Sequence, residues 1–228
     1  MGSPLINKFH LNEKFDGKSV LNLGCGGAKF TAKNVVNLDG YAICKPDVLW
    51  NLEKTPLPFE DDSFDIIIAH HIFEHVHNWW SLFNDAARIL KPLGVIRIFV
   101  PYWSSASALG YRDHVTMINE WSFFGCYNLN RVGTNAWAAT QKKDYAERLA
   151  LIKFDKILRH DKWWIKHAPN FIKNWMGEFL INCVMECEIS FIKVTTEQFS
   201  KERGYEWQKP QLDSIDAAVA SDRYILKT

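Results

Sequence analysis

The chain has 228 residues, 47% of them apolar, with 27 basic and 26 acidic side chains and a formal net charge of +1. That much chain fills the core of one domain with an elaborated tail and leaves too little for two independent domains. Charge this evenly balanced and mixed gives no electrostatic footprint for nucleic acid or an anionic membrane, so neither is expected as a partner.

The opening MGSPLINKFHLNEKF lacks the basic segment and apolar stretch of a secretory leader, and no run of about eighteen apolar residues follows it. Five cysteines, at 25, 44, 126, 183 and 187, are odd in number and scattered without CxxC spacing. They read as reduced thiols, which favours the cytoplasm. Short apolar runs with β-branched content at 20–23, 35–38, 48–52, 64–69 and 95–100 predict strands. Because they do not alternate, both faces are expected to be covered, as in the parallel sheets of α/β proteins. Only about ten residues join the first two runs, fewer than a parallel crossover normally takes, so any helix there has one or two turns. Phe73, Val76, Trp80, Phe83, Ala87 and Leu90 recur at spacings of three and four and predict one helix over 73–90, stopped by KPLG. Strands are expected within 148–160 and 188–195, with a helix over 170–185 between them. The stretch after Gly204 is polar and unassigned.

The first strand ends in SVLNLGCGGA (19–28), where Gly24, Gly26 and Gly27 permit positive φ and bare the backbone N–H groups to a small or anionic ligand. Asp39 closes the second run, NVVNLD, where a carboxylate can accept both hydroxyls of a ribose. A plain turn before Gly40 is the alternative for it. A dinucleotide fingerprint does not fit: one opening at Gly24 meets Lys29, and one opening at Gly26 meets Ala28 and Thr31.

With PDVLWNLEKTPLPFEDDSFDIIIAHHIFEHV and ARILKPLGVIRIFVP downstream, residues 20–101 resemble class I S-adenosylmethionine-dependent methyltransferases, especially the small bacterial group with a short first crossover. The resemblance implies a Rossmann-like three-layer α/β sandwich with a mostly parallel seven-stranded sheet, its last strand antiparallel, plus C-terminal additions. The whole of 1–228 is then one domain, with a core over about 17–101 and acceptor-side and cap elements over about 102–228. It further implies a cofactor set of Asn22, Gly24, Cys25, Gly26, Asp39, Gly40, Asn51, Leu52 and His70. In that set Gly24 to Gly27 pass beneath the methionine part, Asp39 holds the ribose, Asn51 and the Leu52 backbone face the adenine, and His70 borders the sulfonium. Phe59 and Phe64, in the lead into the fourth strand, are expected in the core. The chain departs from the family at Asn22, which stands where an acid is usual, at Ala28 in place of a glycine, and at KPLG for KPGG.

The implied activity is methylation of oxygen or nitrogen on a small-molecule or glycan-like acceptor, with S-adenosylhomocysteine as the product. Such a displacement mainly needs positioning, and a base only for a hydroxyl or protonated amine. Tyr102, Asp113 and His114, just beyond the fifth strand, are the catalytic candidates, His114 for its near-neutral pKa. Two alternatives stand beside this reading: a module that binds S-adenosylmethionine without catalysis, and a zinc hydrolase. The second rests on His71, Glu74 and His75, which spell H-x-x-E-H, but no third ligand follows from spacing and no metal is assigned. Trp103, Trp121, Phe123, Phe124, Trp137, Trp163, Trp164 and Trp175 are expected mainly in the core, some lining an acceptor pocket. NWMGEFLINCVMEC (174–187) offers core or dimer contacts, so a homodimer stays open.

Overall fold

The computed structural model describes residues 15, 17–123, 149–158, 167, 169, 171–172 and 184–193, with no side chains described at 120, 121 and 150–158. Their strands form one sheet in the order β3-β2-β1-β4-β5-β7-β6. Six are four residues or longer: β1 (Val20–Leu23), β2 (Val35–Asp39), β4 (Phe64–His70), β5 (Leu90–Pro101), β6 (Leu149–Leu158) and β7 (Val184–Lys193). The seventh, β3 (Val48–Leu49), is a two-residue edge. Strands β1 to β5 run parallel, while β7 is antiparallel to both β5 and β6. The mostly parallel α/β sheet with an antiparallel last strand is therefore as expected, and its carboxyl ends gather residues 24, 39 and 70 on one edge.

Apolar strands without alternation do belong to a sheet covered on both faces. Leu21, Leu23, Leu38, Ile67, Ala69, Ile96 and Ile98 lie in one core with Phe83, Ala86 and Ala87 of helix α1 (Trp79–Ile89), and Val20, Val35 and Ile68 lie in a second cluster. Phe64 is buried with Phe59 edge-on at 5.0 Å, as expected of both.

Three expectations are corrected. The helix begins at Trp79, not Phe73, because the preceding backbone groups have other partners. Glu74 O accepts from Val115 N and Thr116 N, while His77 N and Asn78 N donate to the Glu53 carboxylate. Phe73–His75 is instead a single 3₁₀ turn, and Phe73 still reaches Phe83 across the core. The run at 48–52 pairs for only two residues, because 51–54 curls into a turn closed by Lys54 N on Asn51 O. The helix expected over 170–185 lies mostly outside the described residues, and its last two, Val184 and Met185, already belong to β7. The first crossover, 24–34, keeps within the expected limit of one or two helical turns, for it contains no helix at all.

A crossover without helix must satisfy its backbone groups otherwise. Two buried asparagines do this. Asn37 accepts from Phe30 N and donates to Phe30 O, and Asn22 donates to Ala28 O and to Asn37 Oδ1.

Asp65 closes the opposite end of β4. Its carboxylate accepts from Ser19 N, Ser19 Oγ and Lys91 Nζ at 2.8, 2.8 and 3.0 Å. Burial acts to raise its pKa, but these bonds outweigh it and hold the carboxyl at about 2. A depressed folded-state pKa stabilises the fold above the unfolded value and loses that contribution as pH falls. In urea titrations, the stability advantage of the native chain over Asp65→Asn is expected to be full above about pH 5 and to vanish between about pH 4 and 2.

Candidate active site

The glycine loop is built by two different steric requirements. Gly24 has φ +71, and a Cβ there would stand 2.6 Å from Ile72 Cγ1, so both the left-handed backbone and the close approach of Ile72 demand glycine. Gly26, with φ +49, has nothing within 4 Å of where a Cβ would be, and neither has Gly27. The loop is thus packed at its base and faces open space at its tip.

Asp39 ties this tip to the end of β2. Its Oδ2 accepts from Gly26 N at 2.7 Å and its Oδ1 from Tyr41 N at 2.8 Å, with the residue only 5% exposed. Each carboxylate oxygen keeps a further acceptor site beyond these bonds. Next to it, Trp50 N donates to Asp39 O, and a Cβ on Gly40 would meet Trp50 O at 3.5 Å, so Asn51 and the buried Leu52 lie alongside. Asn51 uses its Oδ1 to accept Glu53 N. Cys25, beneath the loop, has its thiol pushed up to about 11 by burial and by the nearby Asp39 charge, so it is a neutral lining group. It, Cys44 and Cys187 are reduced thiols, and Cys187 Sγ donates to Val100 O at 3.8 Å. Asn22 is buried in the loop's hydrogen-bond network described above, so the structure places it under the tip rather than at its open face.

At the end of β4 stands a cluster of ionisable groups. His70 packs on Phe99 at 5.4 Å and on His71 at 4.5 Å, and burial, then the His71 charge, lower its pKa to about 4. His71 takes a left-handed φ of 52 and is clamped on both sides, Nδ1 to Glu74 Oε1 at 2.9 Å and Nε2 to Glu186 Oε1 at 3.1 Å. Burial opposes its charge, but the bonds to Glu186 and Glu74 win and raise its pKa to about 9. An imidazolium donating from both nitrogens has no lone pair to offer, so the H-x-x-E-H reading loses its first ligand.

The catalytic candidates separate. Tyr102 is packed in the apolar core, 1% exposed. Asp113 is exposed, and what it brings to the cluster is its backbone carbonyl, hydrogen-bonded to His75 Nδ1 at 3.0 Å. His114 alone faces the cluster: its ring lies 4.7 Å from that of His75 and is stacked on Tyr111 at 5.2 Å. Burial is the main cause that lowers its pKa. One ligand atom from each of Glu74, His75 and His114 lies within 4.8 Å of the others.

Of the aromatic candidates, Phe123 is in the core and Trp103 packs against it. The side chain of Trp121, and the residues Phe124, Trp137, Trp163, Trp164 and Trp175, lie outside what is described. Sequence reasoning passed over Asn37 and Glu186. Each is a polar residue inside a strand whose neighbours are apolar, and that mismatch was the available signal.

The sequence profile of a family described as a methyltransferase domain matches residues 21–98. An uncharacterised methyltransferase of Mycobacterium leprae is 38% identical over 47 residues, 21% of this chain and 18% of that protein. A demethylmenaquinone methyltransferase of Tropheryma whipplei is 33% identical over 94 residues, 34% of this chain and 39% of that one. The chain therefore spans well under half the length of these curated relatives. Among solved structures, an S-adenosylmethionine-dependent methyltransferase of Archaeoglobus fulgidus superposes with a TM-score of 0.54 at 16% identity, covering 84% of this chain and 95% of that one. That likeness concerns the fold.

Proposed function

We propose, from the match of residues 21–98 to a methyltransferase domain, that the chain is a class I methyltransferase that transfers a methyl group from S-adenosylmethionine to an oxygen or nitrogen of a small-molecule or glycan-like acceptor. The observation that carries this is the open space over Gly26 and Gly27 beside the buried Asp39 carboxylate. Bare backbone and a fixed acceptor side by side suit a ligand that carries a ribose and an amino-acid tail.

Gly24 to Gly27, Asp39, Gly40, Asn51, Leu52 and His70 would hold that cofactor, which supplies a methyl group already activated on a positively charged sulfur. Asp39 would accept the ribose hydroxyls with the lone pairs that Gly26 and Tyr41 leave free. His70, neutral at physiological pH, adds no second positive charge beside a sulfonium. Cys25 stays a thiol and does not compete as a nucleophile. The groups at the ends of β4 and β5, with Tyr111 and His114, form the acceptor side, where placing a nucleophile is the main source of acceleration.

Calorimetry with S-adenosylhomocysteine tests the reading. The native chain is expected to bind it, and Asp39→Ala to bind at least about tenfold more weakly, as for loss of hydrogen bonds to a charged group. Equal binding by both chains, or none by the native one, overturns the assignment.

A further inference from the structure

We propose that Glu74, His75 and His114 form a binding site for a divalent first-row metal ion such as Zn²⁺. Glu74 is 2% exposed, and its Oε2 has no hydrogen-bond partner among the described residues, nor has the buried Nδ1 of His114. A buried carboxylate oxygen and a buried imidazole nitrogen left bare cost about 1–3 kcal/mol each, and orphans of this kind call for an explanation. Here Glu74 and His114 belong, with His75, to one trio in which a ligand atom from each residue lies within 4.8 Å of the others. Donors about 2.1 Å from a common ion stand roughly 3.4 Å apart in a tetrahedron, so the trio has to close by about 1 Å to bind one.

The surroundings prepare each ligand for a metal. A carbonyl can only accept, so the contact of His75 with Asp113 O makes Nδ1 the protonated nitrogen and leaves the Nε2 lone pair free. The His114 ring is positioned by stacking on Tyr111 at 5.2 Å. Glu74 is oriented by His71 on its other oxygen. A ligand ring held by a carbonyl, and a ligand carboxylate held by a donor, are the usual outer arrangement of metal sites. The chain is also closed locally, for Val115 N and Thr116 N both donate to Glu74 O and so bring the segment after α2 (Ala106–Gly110) onto the 3₁₀ turn.

Two imidazoles and one carboxylate suit Zn²⁺ or Fe²⁺ and leave coordination positions open. The site adjoins His71 and so the end of β4, where an open position would take an oxygen of the acceptor. That last role rests on the methyl-transfer reading, whereas the ligand set does not.

The test uses the full chain, stripped of metal, titrated with Zn²⁺ by calorimetry and with Co²⁺ by visible absorption. One saturable site is expected, with the d–d bands of Co²⁺ bound to nitrogen and oxygen donors. Glu74→Gln and His114→Ala are each expected to weaken binding at least about tenfold, a lower bound taken from the loss on altering an outer partner. His114→Ala is paired with circular dichroism and S-adenosylhomocysteine calorimetry, so that loss of metal is read on a folded chain. No saturable site in the native chain, or native affinity in His75→Ala and His114→Ala alike, overturns the proposal. Metal binding without S-adenosylhomocysteine binding would sink the methyl-transfer reading and leave this site standing.

Discussion

Gly24→Ala is expected to lower the unfolding free energy by about 2–4 kcal/mol, since a left-handed backbone with a side chain costs about 1–2 kcal/mol and overpacking a core adds a similar amount. The new Cβ would meet three atoms of Ile72, one of them its own Cβ, so relief needs the backbone after β4 to move. That movement would displace His70 and His71, and S-adenosylhomocysteine binding is expected to be lost with it. Gly26→Ala separates strain from ligand contact. It keeps the positive-φ cost but finds open space, so it is expected to destabilise by only about 1–2 kcal/mol while weakening ligand binding more than tenfold. Urea unfolding and calorimetry on the two variants check this. Undiminished binding by Gly26→Ala would mean that the open space over the loop is not where the cofactor lies.

Arg88→Ala carries the second large effect. Its guanidinium donates to Asp85 at 2.6 and 3.2 Å, to Asp61 at 2.8 Å, and to the carbonyls of Phe59 and Leu57. Asp85, 7% exposed, holds Leu57 N as well, so this one helix residue pair fixes the approach to β4. Removing the arginine leaves a buried carboxylate whose charge is no longer paired, which costs about 3–5 kcal/mol. The double variant Arg88→Ala with Asp85→Ala is expected to lose less than the two single losses added, because no orphaned charge remains. Urea titration decides it, and additive losses would show that the pair does not act as a unit.

The strand-forming runs, the loop glycines and Asp39 were legible in the sequence because each follows from local chemistry. Apolar β-branched runs need a covered sheet, a positive φ favours glycine, and a turn after a strand takes an acid. Where the sequence misled, long-range bonds had overridden local period. The spacing from Phe73 to Leu90 is helical, yet Glu53 and the segment after α2 claim the backbone groups that a first turn would have used.

The ionisable cluster shows the same division. His71, Glu74 and His75 were visible as a pattern, but not the partners that each of them finds. Glu186, 115 positions from His71, occupies that ring's second nitrogen, and His114, in the segment that Val115 N and Thr116 N tie to Glu74 O, lies beside His75. Sequence alone determined which residues could ionise, turn or pack, since those are properties of single side chains and near neighbours. Only the tertiary structure decided which charges share a partner and which lone pairs remain free, because a hydrogen bond or ligand set depends on distance in space, and the sheet brings together residues the chain keeps far apart.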